Sequence, residues 1–143
     1  MPCIFCQIIA NQSPSSKIYE DDHILAFLDI HPVRPGQVLV IPKIHVDHFS
    51  DLPEELATRI FQKAHELSKI IREKLQPQRV GLMVHGYGVA HAHMIIVPQI
   101  KHDDITTGRM ATIEHGEIVF RKAMLPVATR EELDNMATLL RRE

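Results

Sequence analysis

The stretch HGYGVAHAHMIIVPQ at residues 85–99 carries two histidines at alternate positions, His91 and His93, leading into a β-branched apolar run. In a strand, successive side chains face opposite ways. His91, His93 and Ile95 therefore share one face, with neighbouring imidazoles starting roughly 7 Å apart. Met94 and Ile96 turn to the other face, toward a core. A neutral imidazole can attack through one nitrogen while the other donates a hydrogen bond that fixes the tautomer. Just upstream, Gly86 and Gly88 allow backbone N–H groups to converge on an anion such as phosphate. Beside such a site, a histidine can attack phosphorus or protonate a leaving oxygen. Spacing alone leaves plainer readings open: satisfied polar residues on a half-exposed sheet, and a simple hairpin turn.

A second group lies at the N-terminus, where CIFC places Cys3 and Cys6 in a C-x-x-C. A redox dithiol normally opens a helix after a core strand, and too little chain precedes this pair for that. As half of a zinc site the pair needs two further ligands. His45 and His48 of PKIHVDHF, together with His91, are the candidates. Two small residues packing an N-terminal turn is the third reading.

Ten histidines in 143 residues is a high count, and it directs attention to these groups. The length fits one domain, 1–143, able to bury roughly 68–70% of its unfolded surface. With 45% hydrophobic and 24% charged residues the composition is that of a globular protein. A net charge of −2 supplies no basic footprint, so no nucleic-acid partner is expected. Runs such as MIIV and VLVI are too short to span a bilayer, and no membrane partner is expected. The N-terminal segment has no basic region ahead of an apolar one, and two cysteines make no disulfide framework. A reducing cytoplasm is the expected compartment.

These residues need elements to hold them. CIFCQIIANQSPSSK reads as a short helical turn and a loop. KIYE and HILAFLD read as strands joined at Asp21–Asp22, and QVLVIPK as a central strand, apolar on both faces. A long helix is expected at 52–75, where Leu52, Leu56, Ile60, Ala64, Leu67, Ile71 and Leu75 form one stripe. Asp51 with Glu54 resembles a capping box, Pro53 suits a first turn and Pro77 ends the run. RVGLMVHG and AHMIIVPQ read as two strands joined by a tight glycine turn at 86–88. TREELDNMATLLRRE reads as a second short helix with Thr129 and Glu132 as its capping box. Residues 102–124 offer one possible strand, EIVFRK, in polar context. Strands in adjacent pairs with helices outside them predict α+β, with an antiparallel sheet of about five strands.

The order and spacing of CIFCQIIANQSPSSKIYEDDHILAFLDIHPVRPGQVLVIPKIHVDHF, a long helix and GVAHAHMIIVPQ resemble the histidine triad (HIT) family of nucleotide hydrolases and transferases. The resemblance covers residues 3–99. It implies a homodimer with a continuous antiparallel sheet, a purine nucleotide ligand, and cleavage at the α-phosphate through a nucleotidyl-histidine. On the family's motif, His93 matches the nucleophile and His91 the histidine that helps orient it. Asp29 matches the residue that holds the ribose. Phe5, Phe27 and Ile30 match the base pocket, and Gly86, Gly88 and Val89 the phosphate loop. In members with the cysteine pair a structural zinc is held by residues matching Cys3, Cys6, His45 and His91.

Two departures qualify this. Ile95 stands where the family has its third histidine, and a hydrocarbon cannot protonate a leaving group. Gly88 stands where many members place a hydroxyl or amide on the phosphate. His85, at the start of the turn, is an alternative donor. Two functions beside the enzyme therefore stay in view: a nucleotide-binding module of little or no turnover with a structural zinc site, and a metal-centred or redox protein built on Cys3 and Cys6.

Overall fold

The computed structural model describes residues 2–105 and 108–141. A short helix α1 (Ile4–Ile9) leads to strands β1 (Lys17–Glu20), β2 (Ile24–Leu28) and β3 (Val38–Pro42). The long helix α2 (Glu54–Leu75) follows, then β4 (Arg79–Met83) and β5 (Met94–Gln99). A hairpin of β6 (Ala111–Glu114) and β7 (Glu117–Phe120) precedes the last helix, α3 (Arg130–Leu140). The fold is α+β, with a five-stranded sheet in the order β1-β2-β3-β5-β4 and every pairing antiparallel. β3 is central, as its two apolar faces predict, and β2 and β3 are buried along their whole length.

Alternation along the strands splits the core. One face, with Ala26, Leu28, Val38, Val40, Met94 and Ile96, packs on the α2 stripe Ile60, Ala64, Leu67 and Ile71 and on Leu133, Ala137 and Leu140 of α3. Each large aliphatic side chain buried there contributes about 1.5–3 kcal/mol. The other face, with Leu25, Phe27, Leu39 and Ile41, packs on Phe5 and Ile8 of α1. The helices that stabilise the sheet thus lie opposite the element that carries the cysteines. No helix among the described residues is long and apolar enough to cross a membrane.

The helix ends differ from each other in how they follow the sequence. At α3, Thr129 accepts from the Glu132 N–H and Glu132 answers to the Thr129 N–H, the expected box. The last two residues of that expected helix, 142 and 143, lie outside the described residues. The expected box at Asp51 and Glu54 does not form. Residues Phe49–Asp51 make a 3₁₀ turn in which the Asp51 N–H bonds the His48 carbonyl. Leu52 is then extended and Pro53 takes the cap position, so α2 opens at Glu54. Its C-terminal end turns on Gln76 in the left-handed region (φ 51°), just ahead of Pro77.

A second correction bears on the site. β4 and β5 are antiparallel neighbours as expected, but their connection is residues 84–93 rather than a tight turn at 86–88. His91 and His93 lie at the end of that connection, and pairing of β5 with β3 begins only at Met94 opposite Val40. The cause is a diversion of backbone bonds. The Ala92 N–H bonds the Val46 carbonyl (2.7 Å) and the His91 N–H bonds the Val89 carbonyl (2.8 Å), both outside the ladder. EIVFRK forms β7 as far as Phe120.

Candidate functional site

His91 and His93 are both buried, yet their rings are held in opposite senses. The Nε2 of His91 lies 2.9 Å from the Pro42 carbonyl at the end of β3, so Nε2 carries the proton and Nδ1 presents a lone pair. That lone pair faces Cys3 Sγ at 3.5 Å, Cys6 Sγ at 3.6 Å and His45 Nδ1 at 3.3 Å. In His93 the roles reverse: Nδ1 donates to the carbonyl of His91 (2.7 Å), leaving the lone pair on Nε2. Among the described residues, no hydrogen bond engages that Nε2.

The ligand atoms of Cys3, Cys6, His45 and His91 all lie within 4.8 Å of one another. Tetrahedral zinc with ordinary Zn–S and Zn–N bonds requires ligand separations of about 3.4–3.8 Å. Cys6 Sγ to His45 Nδ1 is 3.3 Å, and the contacts of His91 match as closely. Donor chemistry agrees: two sulfurs and two imidazole nitrogens form a closed structural shell. The Pro42 carbonyl behind His91 is the partner that fixes a metal-ligating tautomer. Burial and the neighbouring Cys3 push the Cys6 thiol up, a shift that a coordinated cation reverses. His48, weighed as an alternative ligand, is outside this cluster.

Around His93 the elements supply different things. α1 sets Phe5 edge-on to His93 (5.4 Å), to His91 (5.7 Å) and to Phe27 (5.5 Å). Phe5 and Phe27 are almost wholly buried. Asp29, just beyond β2, accepts from Gln37 Nε2 (2.8 Å) and from the His31 N–H (2.9 Å), while neighbouring Ile30 is exposed. Val89 packs against the apolar cluster that includes Phe5, and Gly86 and Gly88 take φ of 85° and 93°, where a side chain is strained. Burial pushes His93 down, outweighing its bond to the His91 carbonyl, and Lys122 pushes it down further. The imidazole is thereby kept neutral, with the lone pair on Nε2.

A cleft of ≈ 220 Å³ opens on His93, lined by Asp47, His48, Phe49, Ser50, Val84, His85, Gly86, Val89 and Ala92. Sequence reading named four of these, His48, His85, Gly86 and Val89, and missed the rest. Of the named nucleotide residues, Phe5, Phe27, Asp29, Ile30 and Gly88 lie outside that cleft. Gln37, which orients Asp29, was missed as well, because a glutamine opening a strand has no spacing to betray it.

The family model of the HIT domain matches residues 10–102. "Protein hit" of Bacillus subtilis is 40% identical over 107 residues, covering 71% of this chain and 74% of that protein. Adenylylsulfatase HINT3 of Arabidopsis thaliana is 32% identical over 106 residues, covering 71% of this chain and 54% of that protein. A zinc-bound histidine triad family protein from Mycobacterium smegmatis has a TM-score of 0.74 at 26% identity, covering 99% of this chain and 91% of that one.

Proposed function

The chain belongs to the HIT domain family, and from that premise we propose that it is a nucleotide hydrolase or nucleotidyl transferase acting at the α-phosphate of a purine nucleotide derivative. The observation that carries this is the tautomer of His93: its Nδ1–H is held by the His91 carbonyl, which leaves Nε2 as the attacking atom beside an open cleft. Nε2 forms a bond to phosphorus as the bond to the leaving group breaks, the electron pair departing with that group. Water then attacks phosphorus, the N–P pair returns to His93, and the water's protons are shared between nucleotide and leaving group. Backbone N–H groups of the turn holding Gly86, Gly88 and Val89 stabilise the crowded phosphate. Asp29 holds the ribose hydroxyls, and Phe5, Phe27 and Ile30 supply the apolar side of the base site. The name of the Arabidopsis relative supports a nucleotide anhydride as one substrate class.

Cys3, Cys6, His45 and His91 hold a structural zinc in this reading, supported by their mutual distances and by the zinc-bound relative. The metal supplies no catalysis from a closed shell; it ties α1, and with it Phe5, against His93. The protein acts in the cytoplasm as a homodimer paired through β4, an edge strand that exposes Leu82 and is followed by exposed Val84. A monomer mass by light scattering at micromolar concentration would remove the dimer.

Ile95 favours a second reading, a nucleotide-binding module without turnover. Release of AMP from adenosine phosphoramidate and from diadenosine polyphosphate, by wild type and His93→Ala, separates the two. AMP binding by calorimetry with no release above buffer would leave only the module.

A further inference from the structure

Building on the nucleotidyl-histidine reading, we propose that Lys122 holds an anionic leaving group, and that the preferred substrates join the nucleoside monophosphate to an acid, as a phosphoanhydride does, rather than to an amine or alcohol. The ammonium nitrogen of Lys122 lies 3.6 Å from the point a Cβ on Gly88 would occupy, so its side chain lies across the turn that flanks His93. It makes no ion pair with a described residue.

The segment bearing Lys122 is fastened at several points. The Arg121 N–H bonds the Met110 carbonyl (2.9 Å), and Leu125 is buried beside Val33 and Val97. The Ala128 N–H bonds the carbonyl of Ile30 (3.0 Å), next to Asp29. Lys122 thus projects from a tethered turn, Lys122–Met124, toward the glycine loop. It lies beyond the residues matched by the family model, 10–102.

The chemistry of the two ends of the site then agrees. Ile95 removes the proton donor from the third motif position, and an amine or alkoxide leaves poorly without a proton. A phosphate, sulfate or carboxylate does not need one. When His93 Nε2 bonds phosphorus and the bridging P–O bond breaks, the electron pair stays on the departing oxygen, and its charge spreads over its neighbours. A cation at the glycine turn neutralises that charge, and Gly88, having no side chain, leaves room for both.

Calorimetry on the intact protein with AMP and with α,β-methylene-ADP reads this contact whether or not turnover occurs. In the wild type the second phosphate should tighten binding by roughly 10-fold. Lys122→Met should erase most of that gain, with a smaller effect on AMP itself, and Lys122→Arg should keep it. The same gain in wild type and Lys122→Met, or equal losses for both ligands, would overturn the proposal. In turnover, Lys122→Met should slow AMP release from diadenosine polyphosphate at least ~10-fold more than from adenosine phosphoramidate. Equal slowing overturns the substrate preference. A missing adduct on His93 counts against the nucleotidyl-histidine reading alone, because the calorimetric comparison still decides Lys122.

Discussion

Two imidazoles one residue apart serve two different regions of the molecule. His91 gives its Nε2 proton to the Pro42 carbonyl and turns a bare Nδ1 toward two sulfurs and a histidine. His93 gives its Nδ1 proton to the His91 carbonyl and turns a bare Nε2 away from any described partner. Both rings are buried, and burial pushes both down, so neither environment is distinguished by polarity alone. What distinguishes them is which nitrogen the backbone has claimed. One carbonyl leaves Nδ1 free to face the cysteine cluster, and the other leaves Nε2 free of any described partner. His91 is the hinge between the regions, since its side chain joins the cluster while its main chain orients His93.

The largest expected effect breaks the symmetry of the pair. His93→Ala should lower AMP release by roughly 10⁴-fold or more, with zinc content unchanged by metal analysis. If His93→Ala and wild type release AMP alike, His93 is not the nucleophile. Ile95→His sharpens the comparison from the other side by restoring a donor at the third motif position. Help of that kind is typically worth ~10²–10⁴-fold, so release from adenosine phosphoramidate should rise while release from an anhydride changes little. Ile95 packs against the apolar cluster that includes Phe5 and Phe27, so the variant's melting temperature should be followed alongside. No gain on the phosphoramidate in a folded variant would show that the third position is not what limits this chain.

Cys6→Ser should act on the other region first. Zinc should fall from about one equivalent toward none, with a drop in melting temperature. Turnover should fall by a smaller factor, about 10–100-fold, as when support of a site is loosened rather than removed. Unchanged zinc would remove Cys6 from the ligand set.

Much of the frame could be read from the chain because each part rests on a local rule. The α2 stripe, the Thr129–Glu132 box, the two apolar faces of β3 and the alternation of Met94 and Ile96 in β5 depend on spacing within one element. Residue type alone leaves His45, His48 and His91 as partners for the two cysteines, and the family resemblance implies Cys3, Cys6, His45 and His91; the structure brings those four together from α1 and its cap, the loop after β3 and the entry to β5. Asp51 misled because a capping residue competes with any turn that can form before it, and here a 3₁₀ turn forms first. The long connection at 84–93 was hidden because glycines that suit a tight hairpin also suit an open anion loop. The Pro42 and His91 carbonyls, which set the tautomers, are backbone atoms and leave no residue signature. Lys122 was out of reach for a different reason. It is brought to Gly88 only by the anchoring of a segment whose own pattern has no period.

The most direct test of the account is intact-protein mass spectrometry after rapid mixing with adenosine phosphoramidate or diadenosine polyphosphate, followed by peptide mapping. One adenylyl group should appear on His93, formed and then lost at a rate that matches turnover, and absent from His93→Ala. Turnover without that adduct, or an adduct mapped to His91, His85 or His48 instead, would contradict it.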